Sequence, residues 1–278
     1  MVTISAFADE IDSDPTVQMD VLDRAGVKHL DLRGAWGANV MDLSDAQCEQ
    51  LRSMIADRGF GVPCIGSPIG KVTIDSDLDA HFRRFLHACD LAEFFGAGHI
   101  RVFSFYPPKG GSIDAHRTTV IERLTQMVEH VRNKPIRLVL ENESDLYMRH
   151  PDGCADVLEA LGAPNEDVVM AYDSGNFVAE GDLPVYEKAW EPLKRFVGYV
   201  HIKDRFPDGG PHVMAGEGKG DWPRILGDLA ERGYKGVLTL EPHLSLAGRM
   251  KGSTKPDLFL QAAEALKGLC QKAGLSFR

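Results

Sequence analysis

The chain has 278 residues, 44% of them hydrophobic, enough for one large α/β domain or two small ones. Its formal charge of −10 argues against a nucleic-acid partner or an anionic membrane surface, because phosphate binding draws on Lys and Arg. The five cysteines are scattered without a CxxC pair, "MVTISAFADEID" lacks the basic-then-apolar order of a signal peptide, and no apolar run approaches the ~20 residues of a bilayer span. These features argue against a disulfide framework and a zinc knuckle, and they lead us to expect a cytoplasmic protein without membrane contact.

Taken in order, apolar runs of strand length alternate with helical patterns, and no linker or low-complexity tract divides them. "TISAFA" leads to a helix around "DPTVQMDVLDRAG". "HLDLRGAW" leads to "SDAQCEQLRSMIADRG", with Ser44 as N-cap and Gly59 as its stop. "GVPCIGSP" precedes "LDAHFRRFLHACDLAEFFGA", and "HIRVFSF" precedes "DAHRTTVIERLTQMVEHVRN". In the second half "IRLVLENE" leads to "DGCADVLEALGA", and "DVVMAYDSGN" to "PVYEKAWEPLKRF". "VGYVHIKD" then leads to "DWPRILGDLAERGY", and "GVLTLEPH" to "KPDLFLQAAEALKGLCQKAG". Strands rich in Val, Ile and Leu and flanked by helices imply a parallel sheet covered on its outer face. Eight such units predict a single-domain (β/α)8 TIM barrel over residues 1–278, the usual length for which is ~250 residues. A doubly wound open sheet is the weaker reading, since no strand ends in GxGxxG or a P-loop.

In a barrel of this kind the site lies at the C-terminal ends of the strands. The fifth predicted strand ends in Glu141, the sixth in Asp173, the seventh in His201 and the eighth in Glu241. Singly, each has a plainer reading: Asp173 before "SGN" as a helix N-cap, His201 as a hydrogen-bonded structural residue, the glutamates as solvated strand ends. Four consecutive strands ending this way favour a common role. Three carboxylates crowded in one mouth repel one another unless a cation compensates. Three carboxylates with one imidazole suit Mn2+ first, then Mg2+ or Co2+, with Zn2+ less expected.

The motifs "LENE", "AYDSGN", "VHIKD", "GEGKGDW" and "TLEPH", with "FADEI", "LDLRGAWGANVMDLS" and "SPIGK" near the N-terminus, resemble the xylose isomerase-like TIM-barrel superfamily of sugar isomerases and epimerases over nearly the whole chain. The resemblance implies that Glu141, Asp173, His201 and Glu241 bind one divalent metal. It also implies that Glu141 and Glu241 act as an acid/base pair on opposite faces of a sugar or cyclic polyol, through a metal-stabilised enediolate. Epimerases of this type often carry a His three residues after the strand-six Asp, where this chain has Asn176. Lys203, Glu217, Asn176, Arg33, Trp36, Lys71 and His243 are the further substrate-binding candidates. A salt bridge for Lys203 and solvated positions for Glu217 and Lys71 are the plainer readings of those three. Glu143, of the same parity as Glu141, is a supporting candidate. A lyase on the same scaffold is the alternative activity, eliminating a β-hydroxyl or glycosidic oxygen from the same enolate. An apurinic endonuclease is disfavoured by the single quartet and the charge, and a homo-oligomer is common among similar proteins.

Overall fold

The computed structural model describes residues 1–245 and 254–278. Seven parallel strands form the main sheet: β1 (Thr3–Ala6), β4 (Cys64–Ile65), β5 (His99–Val102), β6 (Arg137–Glu141), β7 (Val168–Asp173), β8 (Val197–Ile202) and β11 (Val237–Leu240), in the order β1-β11-β8-β7-β6-β5-β4. Residues 29–32 close the ring between its two edges. Asp31 N–H donates to Ala6 O at 2.8 Å on one side, and Leu32 N–H to Cys64 O at 2.8 Å on the other. The result is the (β/α)8 barrel expected from the sequence.

The second predicted strand contributes only isolated bridges to the ring. The chain leaves at Gly34 to form a hairpin of β2 (Gly34–Ala35) and β3 (Ala38–Asn39). Trp36 and Gly37 make its two-residue turn with φ of 52° and 74°, a conformation that glycine adopts freely and tryptophan does not. A second small hairpin, β9 (Asp204–Arg205) with β10 (His212–Val213), follows β8.

Helices α1 (Pro15–Ala25), α2 (Asp45–Asp57), α3 (Leu78–Phe95), α4 (Arg117–Val131) and α5 (Pro151–Ala160) lie where the periodicity placed them. Ser44 caps α2 in a reciprocal capping box with Gln47. Helix α6 (Ser174–Glu180) starts directly at the end of β7, where the Asp173 carboxylate is the N-cap that "DSGN" offered as its plainer reading. The helix predicted over "PVYEKAWEPLKRF" is instead a wide π-type turn over Tyr186–Trp190 and a short α7 (Glu191–Leu193). The helical stretch is continuous over residues 185–193, and Pro192, having no N–H, sits in the first turn of α7 where none is needed. Helices α8 (Trp222–Glu231) and α9 (Pro256–Lys272) complete the outer layer. No helix among the described residues is long and apolar enough to cross a membrane.

Side chains of one strand parity fill the barrel. Cys64, Val139, Val169, Ala171, Tyr199 and Val237 form an apolar cluster there, separate from the larger core under the helices. Beside it lies buried Asp31, which accepts hydrogen bonds from Ser5, Tyr199 and Thr239 hydroxyls at 2.6–2.9 Å. Continuing the same parity toward the strand ends brings Glu141, Asp173, His201, Lys203 and Glu241 to the mouth.

Candidate metal centre

Glu141, Asp173 and His201 stand on β6, β7 and β8, and Glu241 follows β11 by one residue. They are 1%, 0%, 0% and 4% exposed, and one ligand-type atom from each falls within 4.8 Å of all the others. His201 Nδ1 lies 3.0 Å from Glu141 Oε1 and 3.5 Å from Glu241 Oε2. Lys203 Nζ lies 2.7 Å from Asp173 Oδ2 and 3.9 Å from Glu241 Oε2.

Each carboxylate is held from outside by one oxygen and turns the other toward its neighbours. Arg101 Nη1 holds Glu141 Oε2 at 3.1 Å, and the Asn176 backbone N–H holds Asp173 Oδ1 at 3.0 Å. Arg33 Nη1 and His243 Nε2 hold Glu241 Oε1 at 3.0 and 3.2 Å. The inner atoms lack hydrogen bonds: Asp173 Oδ2, Glu241 Oε2 and both ring nitrogens of His201 are buried without one. Buried polar atoms are normally satisfied, so Glu241 Oε2 and a ring nitrogen of His201, left without hydrogen bonds beside Asp173 Oδ2 and its Lys203 counter-charge, mark a place for a polar ligand. Three carboxylate oxygens and an imidazole nitrogen are donors that fit a divalent cation.

The charge balance agrees. Burial alone raises Glu141, but the adjacent His201 and Arg101 outweigh it and bring its pKa down to about 2. At Glu241 burial is likewise outweighed, by Lys203, His243 and Arg33, and the group stays well below the usual carboxylate range. At Asp173 burial prevails over Lys203, with Glu241 and Glu141 adding to it, and the pKa rises to about 6. Burial opposes the charging of His243, yet Glu10 and Glu241 carry its pKa up to about 9.

The other candidates divide. Lys203 is buried and reaches the quartet directly. Arg33 and His243 reach it through Glu241 and also engage Glu10, His243 Nε2 at 3.1 Å and Arg33 Nη2 at 3.7 Å. Asn176 is buried, but its side-chain amide donates to Asn142 O at 2.8 Å and so ties α6 to the end of β6. Lys71 is turned to Glu143 at 2.8 Å and stacks over Phe103. Trp36 is half-buried at its hairpin turn, packed on the core. Glu217 is exposed, and no ion pair among the described residues joins it to the quartet.

Sequence reasoning missed Arg101, Asp9, Glu10 and Asn142. Arg101 was detectable as a cation inside the apolar run "HIRVF", and Glu10 lies in the quoted motif "FADEI". Asn142 zips the strand ends, its amide donating to Asp173 O while its Oδ1 accepts from Asp173 N, both at 2.9 Å.

Residues 19–269 match the family model described as "Xylose isomerase-like TIM barrel". Fructoselysine 3-epimerase of Escherichia coli O157:H7 is 25% identical over 171 residues, 59% of this chain and 61% of that protein. The chain thus spans about three fifths of the length of the curated relatives it matches. Among solved structures, a zinc-bound IOLI protein superposes with TM-score 0.77 at 15% identity, covering 98% of this chain and 99% of that one. A xylose isomerase-like TIM barrel protein from Mycobacterium smegmatis in complex with magnesium gives 0.74 at 21% identity, covering 98% and 97%. The match over residues 19–269, on a barrel that gathers this quartet at its mouth, shows that the chain belongs to the xylose isomerase-like TIM barrel family.

Proposed function

We propose that this chain is a divalent-metal-dependent sugar isomerase or epimerase that moves a proton at a carbon next to a carbonyl. The observation that carries this reading is the buried quartet, with ligand atoms within 4.8 Å and one oxygen of each carboxylate held from outside. Similarity to a fructoselysine 3-epimerase supports the reaction class. Glu141, Asp173, His201 and Glu241 would hold the ion, Mn2+ first among the candidates and Mg2+, Co2+ or Zn2+ after it. When bound, the ion supplies Lewis-acid polarisation of the substrate carbonyl.

Glu141 and Glu241 are separated around the ring by the strands of Asp173 and His201. They therefore face a sugar or cyclic polyol in the mouth from different sides. One accepts the proton on a carboxylate oxygen and the other returns a proton from the opposite side. Arg101 and Arg33 keep the two glutamates ionised, which makes both weak bases and fits them to a C–H already made acidic. Lys203 donates to a substrate oxygen. Asn176, Arg33 and His243 hold the surrounding groups in place, and Lys71, Trp36 and Glu217 would line the approach.

The test is chelator-stripped protein reloaded with Mn2+ and given fructoselysine, ketohexoses, inosose and 3-keto-glycosides in deuterated water. Deuterium gained without loss of mass from the skeleton supports the epimerase. Loss of water or an aglycone assigns the lyase chemistry instead. Glu141→Gln should lower turnover by at least about 100-fold. Unchanged metal content and turnover in that variant would overturn the reading.

A further inference from the structure

Beside the quartet lies a second group of ligand-type residues, Glu10, Glu241 and His243, whose donor atoms also fall within 4.8 Å of one another. Glu10 is 1% exposed, and among the described residues its Oε1 is met only by the charged groups of His243 and Arg33. Glu10 Oε1 and His243 Nε2 are 3.1 Å apart, and His243 Nε2 is 3.2 Å from Glu241 Oε1. Asp9 Oδ1 is a buried orphan nearby. Two carboxylates, an imidazole and a third acid within reach form a donor set that takes a divalent cation.

Arg33 distinguishes this group from the quartet. Its guanidinium faces all three acids, with Nη1 3.0 Å from Glu241 Oε1, Nη2 3.7 Å from Glu10 Oε1 and Nε 2.8 Å from Asp9 Oδ2. It is stacked over Phe7 at 4.5 Å. A Cβ at Gly66 would come within 2.9 Å of the Arg33 Cβ, so the backbone itself closes around the side chain. A guanidinium keeps its charge at any ordinary pH and matches carboxylates with a rigid fork of donors. In the quartet the guanidinium of Arg101 stays on the outer oxygen of Glu141. Among the described residues the only side-chain cation facing the inner oxygens of Asp173 and Glu241 is the ammonium of Lys203, a single point charge on a flexible stem.

We propose that Arg33 sets the metal stoichiometry of the mouth at one ion per chain, its guanidinium standing where Glu10, Glu241 and His243 would otherwise hold a second divalent cation. The inference rests on the metal reading above. Glu241 is consequently a divided ligand, with Oε2 turned to the quartet and Oε1 committed to Arg33 and His243.

The experiment loads chelator-stripped full-length protein with Mn2+, removes free ion and counts manganese per chain by elemental analysis, with electron paramagnetic resonance as a second readout. Wild type should hold one ion, Arg33→Met two, and the Arg33→Met/Glu10→Gln double variant one again. The two ions in Arg33→Met share Glu241 and should show a coupled spectrum absent from wild type. If Arg33→Met fails to fold by circular dichroism, Arg33→Gln removes the charge while keeping an amide in the cleft and should also hold two. Two ions in wild type, or one in the folded Arg33 variants, would overturn the inference and leave the metal reading intact. No bound ion in any form would overturn both.

Discussion

Arg101 is the cation on which buried Glu141 depends. Its guanidinium also donates to Gly66 O and Ser67 O and lies between the rings of Phe7 and Phe103, 4.7 and 4.9 Å from their centres. Removing one partner of a buried ion pair typically costs about 3–5 kcal/mol, because the other charge remains uncompensated. Arg101→Met should therefore lower the urea-unfolding free energy of the metal-free protein by about 3 kcal/mol, and added Mn2+ should recover part of the loss. A smaller effect than ~1 kcal/mol would mean that His201, 3.0 Å from the other oxygen, compensates Glu141 without Arg101. His81 offers a separate test, far from the quartet in sequence. Its Nε2 accepts the Gly70 N–H at 3.0 Å, and burial, with Arg123 and Arg84 adding to it, lowers its pKa from 6.5 to about 4. The native state thus binds fewer protons than the unfolded chain between these values, so stability is present above pH 6.5 and lost as pH falls toward 4. We expect His81 to contribute on the order of 2 kcal/mol to the loss across that window, so that His81→Gln loses less by that amount while the part due to His212 remains, as read from urea unfolding at each pH. At this scale the quartet was legible because each member ends an apolar run. Arg101 was not, because a charged residue in mid-strand reads as one facing water.

At the scale of elements, the segment after β8 is organised by one carboxylate. Asp204 Oδ2 accepts the N–H groups of Gly216 and Gly218 at 2.8 and 3.0 Å, and Oδ1 those of Gly220 and Arg205, both at 2.9 Å. The glycines allow this close approach: a Cβ at Gly218 would lie 2.2 Å from Asp204 Oδ1. The adjacent Lys203 carbonyl accepts from Trp222 Nε1 at 3.0 Å, so the strand end and the loop are fixed together. Asp204→Asn turns an amide NH2 toward N–H donors and should cost about 1–3 kcal/mol. Limited proteolysis should then cut within residues 214–220, where the wild type resists; cleavage at equal rates would show that the loop is held by other contacts. Most helices were legible from their caps and periodicity. Helix α6 was legible only in its cap: Asp173 before Ser-Gly-Asn reads as an N-cap, and the structure has its side chain serving both the helix start and the mouth. The second strand was misread in extent because its hairpin turn places a tryptophan at positive φ.

At the scale of the molecule, the barrel interior runs from an apolar cluster through the hydroxyl-satisfied Asp31 to an ionic mouth. An ion that binds the folded mouth and not the unfolded chain stabilises by mass action, by about 2.7 kcal/mol at a hundred times its Kd. Added Mn2+ should therefore raise the melting temperature of stripped protein by roughly 5 °C or more, with no rise in Asp173→Asn. An equal rise in the variant would place the ion elsewhere. The eight-unit count was legible because the strand–helix spacing is nearly even. The way the ring closes was not, since four backbone hydrogen bonds at residues 29–32 leave no pattern of alternation to read.

The contact between Lys203 and Asp173 has a further consequence. At 2.7 Å from Oδ2, the ammonium occupies the oxygen that an incoming ion would need. Under the proposed function, loading would be an exchange of one cation for another, with the lysine as an internal competitor that would have to leave Asp173. Affinity for the ion and speed of the reaction are then opposed at a single residue. Lys203→Met should bind Mn2+ more tightly than wild type in a calorimetric titration while turning substrate over more slowly. A variant weakened in both respects would show the lysine to be a supporter of the ion rather than its rival.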